Sequence, residues 1–278
     1  MSASMPTTQR RENADNIVVV KLGGSVLGSR DTSLEDVARL KKEGYLPVVV
    51  HGGAAAVNNW LKRLNITPKI VQGERVTDKD TLDVVAAVLA GLVNKETVAM
   101  LLDLGIKAVG LSGVDAGMIR GRTRGADWGY MGDATGVDPS VIATLLEDGF
   151  VPVVSPVSLN KADNPVRLLN INGDPVAGEL AAALQAERLV FLTDVPGIRD
   201  SGGEVINTLS AAEAEYLVNT GVATGGMVPK IRAAVRASAA GTVTSIVDGR
   251  QPHILYNEIT RGGSGTSISA LGQRATYD

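Results

Sequence analysis

Two lysines of this chain stand beside glycine pairs, a placement that suits chemistry on an anion. Lys21 closes the β-branched run Val18-Val19-Val20 and is followed, after Leu22, by Gly23-Gly24. Lys230 comes shortly after Gly225-Gly226, at the start of a helical stretch with Pro229 in its first turn. A second strand-like run ends in His51-Gly52-Gly53 ahead of another helix. Glycine lets a backbone come close to a ligand, and the free amides of a following helix start attract negative charge. An ammonium group beside such a turn can be aimed at the phosphate that the amides hold. Each turn taken singly also reads as an ordinary strand-to-helix connection, and Lys230 alone as a solvated surface lysine. A third candidate is Asp174 in "LLNINGDPVAGELAAAL", with Asn170 and Asn172 just upstream. It could serve the lysines, or simply cap the helix that follows. Neither glycine turn fits G-x-x-x-x-G-K-[ST], and no G-x-G-x-x-G opens a helix after a strand, so a phosphate site here is of another type.

Composition removes several other chemistries. With 278 residues, 44% hydrophobic and 21% charged, the chain can bury the core of one large or two modest domains. A net charge of −3 without a dense run of lysine and arginine gives no footprint for nucleic acid. The chain has no cysteine, which excludes thiol nucleophiles and thiolate metal sites, and its two histidines, His51 and His253, make a histidine-rich metal centre unexpected. No protein-held metal is predicted. The opening "MSASMPTTQRRENADN" is polar and lacks the apolar stretch of a secretory signal, so residues 1–16 are predicted to be a disordered tail on a cytoplasmic protein. No segment reads as a membrane span.

The elements that must position these residues alternate along the chain. "NIVVVKLGG", "LEDVARLKKEG", "LPVVVHGG" and "AAAVNNWLKRLN" read as strand, helix, strand, helix, and "IKAVGLSG", "FVPVVSPV", "RLVFLTDVPG" and "VTSIVDG" continue the series. Runs such as Val48-Val49-Val50 are apolar on both faces, as strands covered on each side by helices must be. From Thr81 to Leu104, Leu82, Val85, Leu89 and Leu92 recur on one helical face, buried against the sheet or another subunit, and Gly105 is the stop. Between Gly121 and Gly136 that order fails, and a hairpin or lid is predicted. The division between two lobes is placed near residue 185.

Together these pieces resemble the amino acid kinase family. The similarity is carried by "VVVKLGGSVL", "VVVHGG", "GERVTDKDTLDVV", "LAGLVNKETV", "AVGLSG", "NINGDPVAGELAAAL", "LTDVPGI", "GGMVPK" and "VDGRQPHILYNEI", which run in family order from about residue 17 to 268. The resemblance implies an α/β fold, a three-layer αβα sandwich with a mostly parallel central sheet. Residues 17–185 would form an N-terminal lobe that binds an acyl amino acid and dimerises, and residues 186–278 a C-terminal lobe that binds ATP. Within the family the similarity is to members acting on N-acetyl-L-glutamate in arginine biosynthesis, which implies transfer of the ATP γ-phosphoryl group to its γ-carboxylate. Lys21 and Lys230 would flank that group and Asp174 would hold both. Gly23 and Gly24 would serve ATP, Gly52 and Gly53 the acceptor. Arg75 and Asn170 would bind the acceptor's α-carboxylate and N-acyl side. Thr193, Asp194, Val195, Gly197, Ile198, Thr224 and Gly226 would line the nucleotide pocket.

Mg2+ held mainly by the phosphates and a homodimer are implied as well. Two departures lie where the acceptor would bind, "HGGAAA" in place of a third glycine and proline, and "GVDAG" where Lys-Asp-Gly is common. Such liberties also occur in relatives that phosphorylate aminoadipate or glutamate on a carrier protein, which is one alternative. Another is a catalytically silent amino-acid or nucleotide sensor. A carboxylate acceptor is already ionised at neutral pH, so no general base is needed and scarce histidine is no obstacle.

Overall fold

The structure, a computed structural model, describes residues 16–23, 32–71, 74–160 and 167–272. Gly24 and the tail residues 1–15 lie outside them. In chain order the elements are β1 (Ile17–Leu22), α1 (Ser33–Lys42), β2 (Leu46–His51), α2 (Ala54–Arg63), β3 (Lys69–Val71), β4 (Glu74–Val76) and α3 (Lys79–Asp103). There follow β5 (Ala108–Ser112), β6 (Ile119–Thr123), β7 (Met131–Val137), α4 (Ser140–Glu147), β8 (Val151–Ser155), β9 (Val157–Asn160), β10 (Arg167–Ile171) and α5 (Gly173–Leu184). The last part comprises β11 (Arg188–Thr193), β12 (Thr208–Ser210), α6 (Ala211–Asn219), α7 (Met227–Ser238), β13 (Val243–Asp248), α8 (Ile254–Thr260) and β14 (Thr266–Ser269).

An eight-stranded sheet in the order β12-β14-β13-β11-β1-β2-β8-β5 forms the centre, parallel at every pairing except β13 with β14. From β1 the chain builds outward through β2 on one side, then returns to lay β11 against the other side of β1. The crevice at the carboxyl ends of β1 and β11 is therefore a topological switch point, where open α/β sheets place their ligands.

Strand parity then decides which way Lys21 faces. Alternate residues of a strand point to opposite faces. Ile17 and Val19 pack with Val176, Leu180, Ile231 and Ala234 of α5 and α7, while Val18, Val20 and Leu22 pack with Val37 and Leu40 of α1 and Leu255 and Ile259 of α8. Lys21 shares the parity of Ile17 and Val19, and so emerges on the α5 and α7 side. Those two helices approach closely because Gly178 lies against Ala233, where an added Cβ would stand 2.7 Å from the Ala233 carbonyl oxygen and 2.8 Å from its Cα. Gly178→Val should force them apart and destabilise the fold by about 1–3 kcal/mol, the usual range for overpacking. A wild-type urea midpoint in that variant would contradict the close packing.

One expectation is met and two features differ from the sequence reading. The segment expected as a hairpin or lid is the β6–β7 hairpin, with a bulge between Arg120 and Gly121, and it belongs to a small four-stranded sheet, β10-β7-β6-β9, closed on itself. Helix α3 is π-helical over Ala87–Val93. The wider turn shifts the phase, so Leu82, Val85 and Leu89 are buried as expected but Leu92 is exposed, and Val88 and Val93 take the inner positions. Gly105 ends the helix with φ +77°. Helix α3 is also long and apolar enough to cross a membrane by length and composition, which corrects the expectation that no segment would be.

Candidate active site

Lys21, Asp174 and Lys230 meet at the switch point. Lys21 Nζ is 2.7 Å from Asp174 Oδ1, and Lys230 Nζ donates to Asp174 Oδ2 at 2.9 Å and to the Gly226 carbonyl at 3.1 Å. The Lys21 contact lies off the hydrogen-bonding direction and is a charge–charge contact. Burial acts to raise the Asp174 carboxyl, but the two ammonium groups outweigh it and hold the acid below its ordinary range. The cap of α5 is Asn172, whose Oδ1 accepts from Asp174 N at 3.0 Å. Asp174 is thus not the cap, and its carboxylate is free for the lysines. Gly173 makes room for this: a Cβ there would stand 2.8 Å from Lys21 Cε.

A cavity of about 540 Å3 opens over these groups. Gly23, Gly52, Gly53, Arg75, Asn170, Thr193 and Asp194 line it together with the three charged residues. Arg75 sends one guanidinium nitrogen to Asn58 Oδ1, while its buried Nη1 has no partner among the described residues, and burial lowers its pKa. An anionic group would complete it. Asn170 Nδ2 donates to Thr77 Oγ1 at 2.9 Å. Val195, Gly197, Ile198, Thr224 and Gly226 do not line this cavity. The Ile198 side chain is in the core, and a Cβ on Gly197 would stand 2.6 Å from Thr266 Oγ1, so these two shape the loop after β11. Thr224 and Gly226 lie exposed before α7.

The sequence reading missed a polar network behind the cavity, which it reaches through Glu74 and Asn172. Glu74 pairs with Arg124 Nη1, Arg124 Nε reaches Asp133 Oδ1 at 2.7 Å, and Asn172 Nδ2 donates to Glu74 Oε1 at 3.2 Å. Arg124 and Glu74 stand 50 residues apart, and only the "GERVTD" context of Glu74 pointed toward it. His51, fully buried at the end of β2, was also passed over. Burial pushes its imidazole down to about 4, with nearby Lys21 and Lys95 acting in the same direction and a hydrogen bond to the Gly52 carbonyl opposing them.

Because the folded chain resists a proton that the unfolded chain accepts near pH 6.5, the contribution of neutral His51 is complete above that pH. It is lost as the pH falls from 6.5 toward 4, about 3 kcal/mol in all. Urea midpoints at pH 7.5 and 4.5 should show that slope in the wild type and its flattening in His51→Asn. Equal slopes would remove His51 from the account.

The sequence profile of the amino acid kinase family matches residues 16–248. An acetylglutamate kinase of Dehalococcoides mccartyi (strain ATCC BAA-2100 / JCM 16839 / KCTC 5957 / BAV1) is 54% identical over 261 residues, covering 93% of this chain and 96% of the relative. The acetylglutamate kinase of Synechococcus sp. (strain RCC307) is 47% identical over 283 residues, covering 99% and 93%. Among solved structures, N-acetylglutamate synthase from Neisseria gonorrhoeae, complexed with coenzyme A and N-acetyl-glutamate, superposes with a TM-score of 0.79 at 26% identity, over 97% of this chain and 62% of that one. Carbamate kinase from Giardia lamblia bound to AMP-PNP, at 16% identity and a TM-score of 0.67 over 92% and 99%, shares the fold.

Proposed function

The chain belongs to the amino acid kinase family, and from that premise we propose that it transfers the γ-phosphoryl group of ATP to the γ-carboxylate of N-acetyl-L-glutamate, giving N-acetyl-L-glutamyl 5-phosphate for arginine biosynthesis. The observation that carries this reading is the pair of ammonium groups on one buried carboxylate, in the same cavity as the unpartnered Arg75 Nη1. The acceptor oxygen attacks γ-phosphorus, the bond to the β,γ-bridging oxygen breaks, and its electron pair leaves on ADP. Nothing needs to be deprotonated. What the step needs is screening between two anions and stabilisation of charge spreading over the phosphoryl oxygens, which Lys21 and Lys230 supply with the amides of Gly23, Gly52 and Gly53. Asp174 holds the two ammonium groups in place. Arg75 takes the acceptor's α-carboxylate and Asn170 its N-acyl side, while Thr193 and Asp194 face the nucleotide on the loop that Gly197 and Ile198 shape.

Mg2+ enters with the phosphates of ATP as part of the donor substrate. We further place the protein in the cytoplasm, and as a homodimer, for which exposed Leu92, Met100 and Leu102 on α3 offer apolar surface. Incubation with ATP and N-acetyl-L-glutamate in the presence of hydroxylamine should yield the hydroxamate of the acyl phosphate. Product from aminoadipate instead, or none with either acceptor while ATP still binds, would overturn the assignment.

A further inference from the structure

His51 does not touch the cavity, yet a directed chain of hydrogen bonds runs through it to the turn that does. The chain starts at Lys95, whose Nζ donates to Asn94 Oδ1 at 3.0 Å and to the Gly110 carbonyl at 3.2 Å. An ammonium group can only donate, so Oδ1 is the acceptor end of the Asn94 amide. Its other end, Nδ2, then faces the Val153 carbonyl at 2.9 Å, His51 Nε2 at 3.1 Å and the Leu111 carbonyl at 3.2 Å. The two Nδ2 hydrogens are shared among these three acceptors, and an N–H on Nε2 would point straight at them, so Nε2 carries no proton and the neutral imidazole carries its proton on Nδ1. Nδ1 is 2.8 Å from the Gly52 carbonyl oxygen. In a trans peptide the carbonyl and the following N–H point in opposite directions. Holding the Gly52 oxygen against the ring therefore turns Gly53 N–H the other way. The far side of the turn is fixed too, since Gly53 has φ +147° and lies against Leu89 of the π-helical stretch, where a Cβ would be 2.7 Å from Leu89 Cδ2.

We propose that His51, as its Nδ1–H tautomer, is a positioning residue for the phosphoryl transfer: it fixes the Gly52–Gly53 peptide so that Gly53 N–H is aimed into the cavity beside Lys21. The proposal deepens the kinase reading and rests on it. Asn94 and Lys95 act one step further back, by selecting the tautomer.

An asparagine side chain can place its amide nitrogen where Nδ1 stands, and a glutamine where Nε2 stands. His51→Asn should therefore recover most of the wild-type kcat. His51→Gln, matched to it in melting temperature, should lose about 100-fold in kcat with KM for ATP unchanged, the loss expected for a misplaced reacting geometry. Equal losses in the two variants at equal melting temperature, or no loss in either, would reduce His51 to a satisfied core residue. A second measurement needs no variant: 15N NMR of the wild-type imidazole nitrogens should show the proton on Nδ1 at neutral pH. A proton on Nε2 would sink the proposal. That spectrum is independent of substrate, and wild-type hydroxamate formation is scored separately, so failure of the kinase assignment and failure of the positioning role are told apart.

Discussion

Asp174→Asn is expected to lower kcat about 100- to 1,000-fold while KM for ATP and for the acyl amino acid stays within a small factor, because it removes preorganisation rather than ground-state contacts. The substitution keeps shape and a polar head but deletes the charge that two ammonium groups share. Lys21 and Asp174 are 9% and 6% exposed in their side chains, so the loss is felt in a site of low dielectric. Lys230, at 21%, has water to turn to. Breaking a buried pair typically costs about 3–5 kcal/mol, and access of water to the cavity should keep the loss at the lower end. The kinetics must therefore be read on folded protein, with the melting temperature measured on the same preparation. Since the three groups act as a unit, adding Lys230→Met to Asp174→Asn should cost much less than Lys230→Met costs alone. Turnover near wild type in Asp174→Asn, or strict additivity in the cycle, would disprove the shared-carboxylate role.

Arg75→Ala should have the opposite signature. A charge-assisted hydrogen bond contributes about 1.5–3 kcal/mol, so KM for the acyl amino acid should rise roughly 10- to 100-fold with kcat little changed. The expectation rests on Nη1, buried and unpartnered while the other arm of the fork is held by Asn58. Arg75→Lys should recover little, since a point charge on a flexible stem cannot reproduce a fork held at one end. If KM for the acyl amino acid is unchanged and ATP binding weakens instead, Arg75 belongs to the other substrate.

The parts of this site legible in the sequence are those written in short spans. Lys21 beside its glycine turn, the turn at Gly52-Gly53 and the helix from Asn172 onward each declare themselves within ten residues, and the alternation of strands and helices follows from apolar patterning. What escaped has two physical origins. Local ambiguity misplaced the cap of α5, because "NINGDP" offers three side chains able to cap and only the folded backbone selects Asn172. Distance in the chain hid Glu74 with Arg124 and His51 with Asn94, pairs 50 and 43 residues apart whose members look like ordinary surface or core residues until the sheet brings them together. The π-helical stretch belongs to neither class. Leu92 keeps perfect helical spacing with Leu89 in the sequence, and it is exposed because the turn between them is wider than an α-helical one.

The return of the chain at β1 has a consequence for how such a protein can diversify. Gly52, Gly53, Arg75 and Asn170 all come from the chain before Asp174, whereas Thr193, Asp194 and Lys230 come after it. Lys21 stands at the seam, and Asp174 joins it to Lys230. If the acceptor sits against the first group and the nucleotide against the second, as proposed, drift in the first portion would exchange the molecule that is phosphorylated while most of the donor side keeps its inherited sequence. A gene built this way can be duplicated and re-aimed at a new acceptor by changing one half of its reading frame, with the chemistry carried along unaltered.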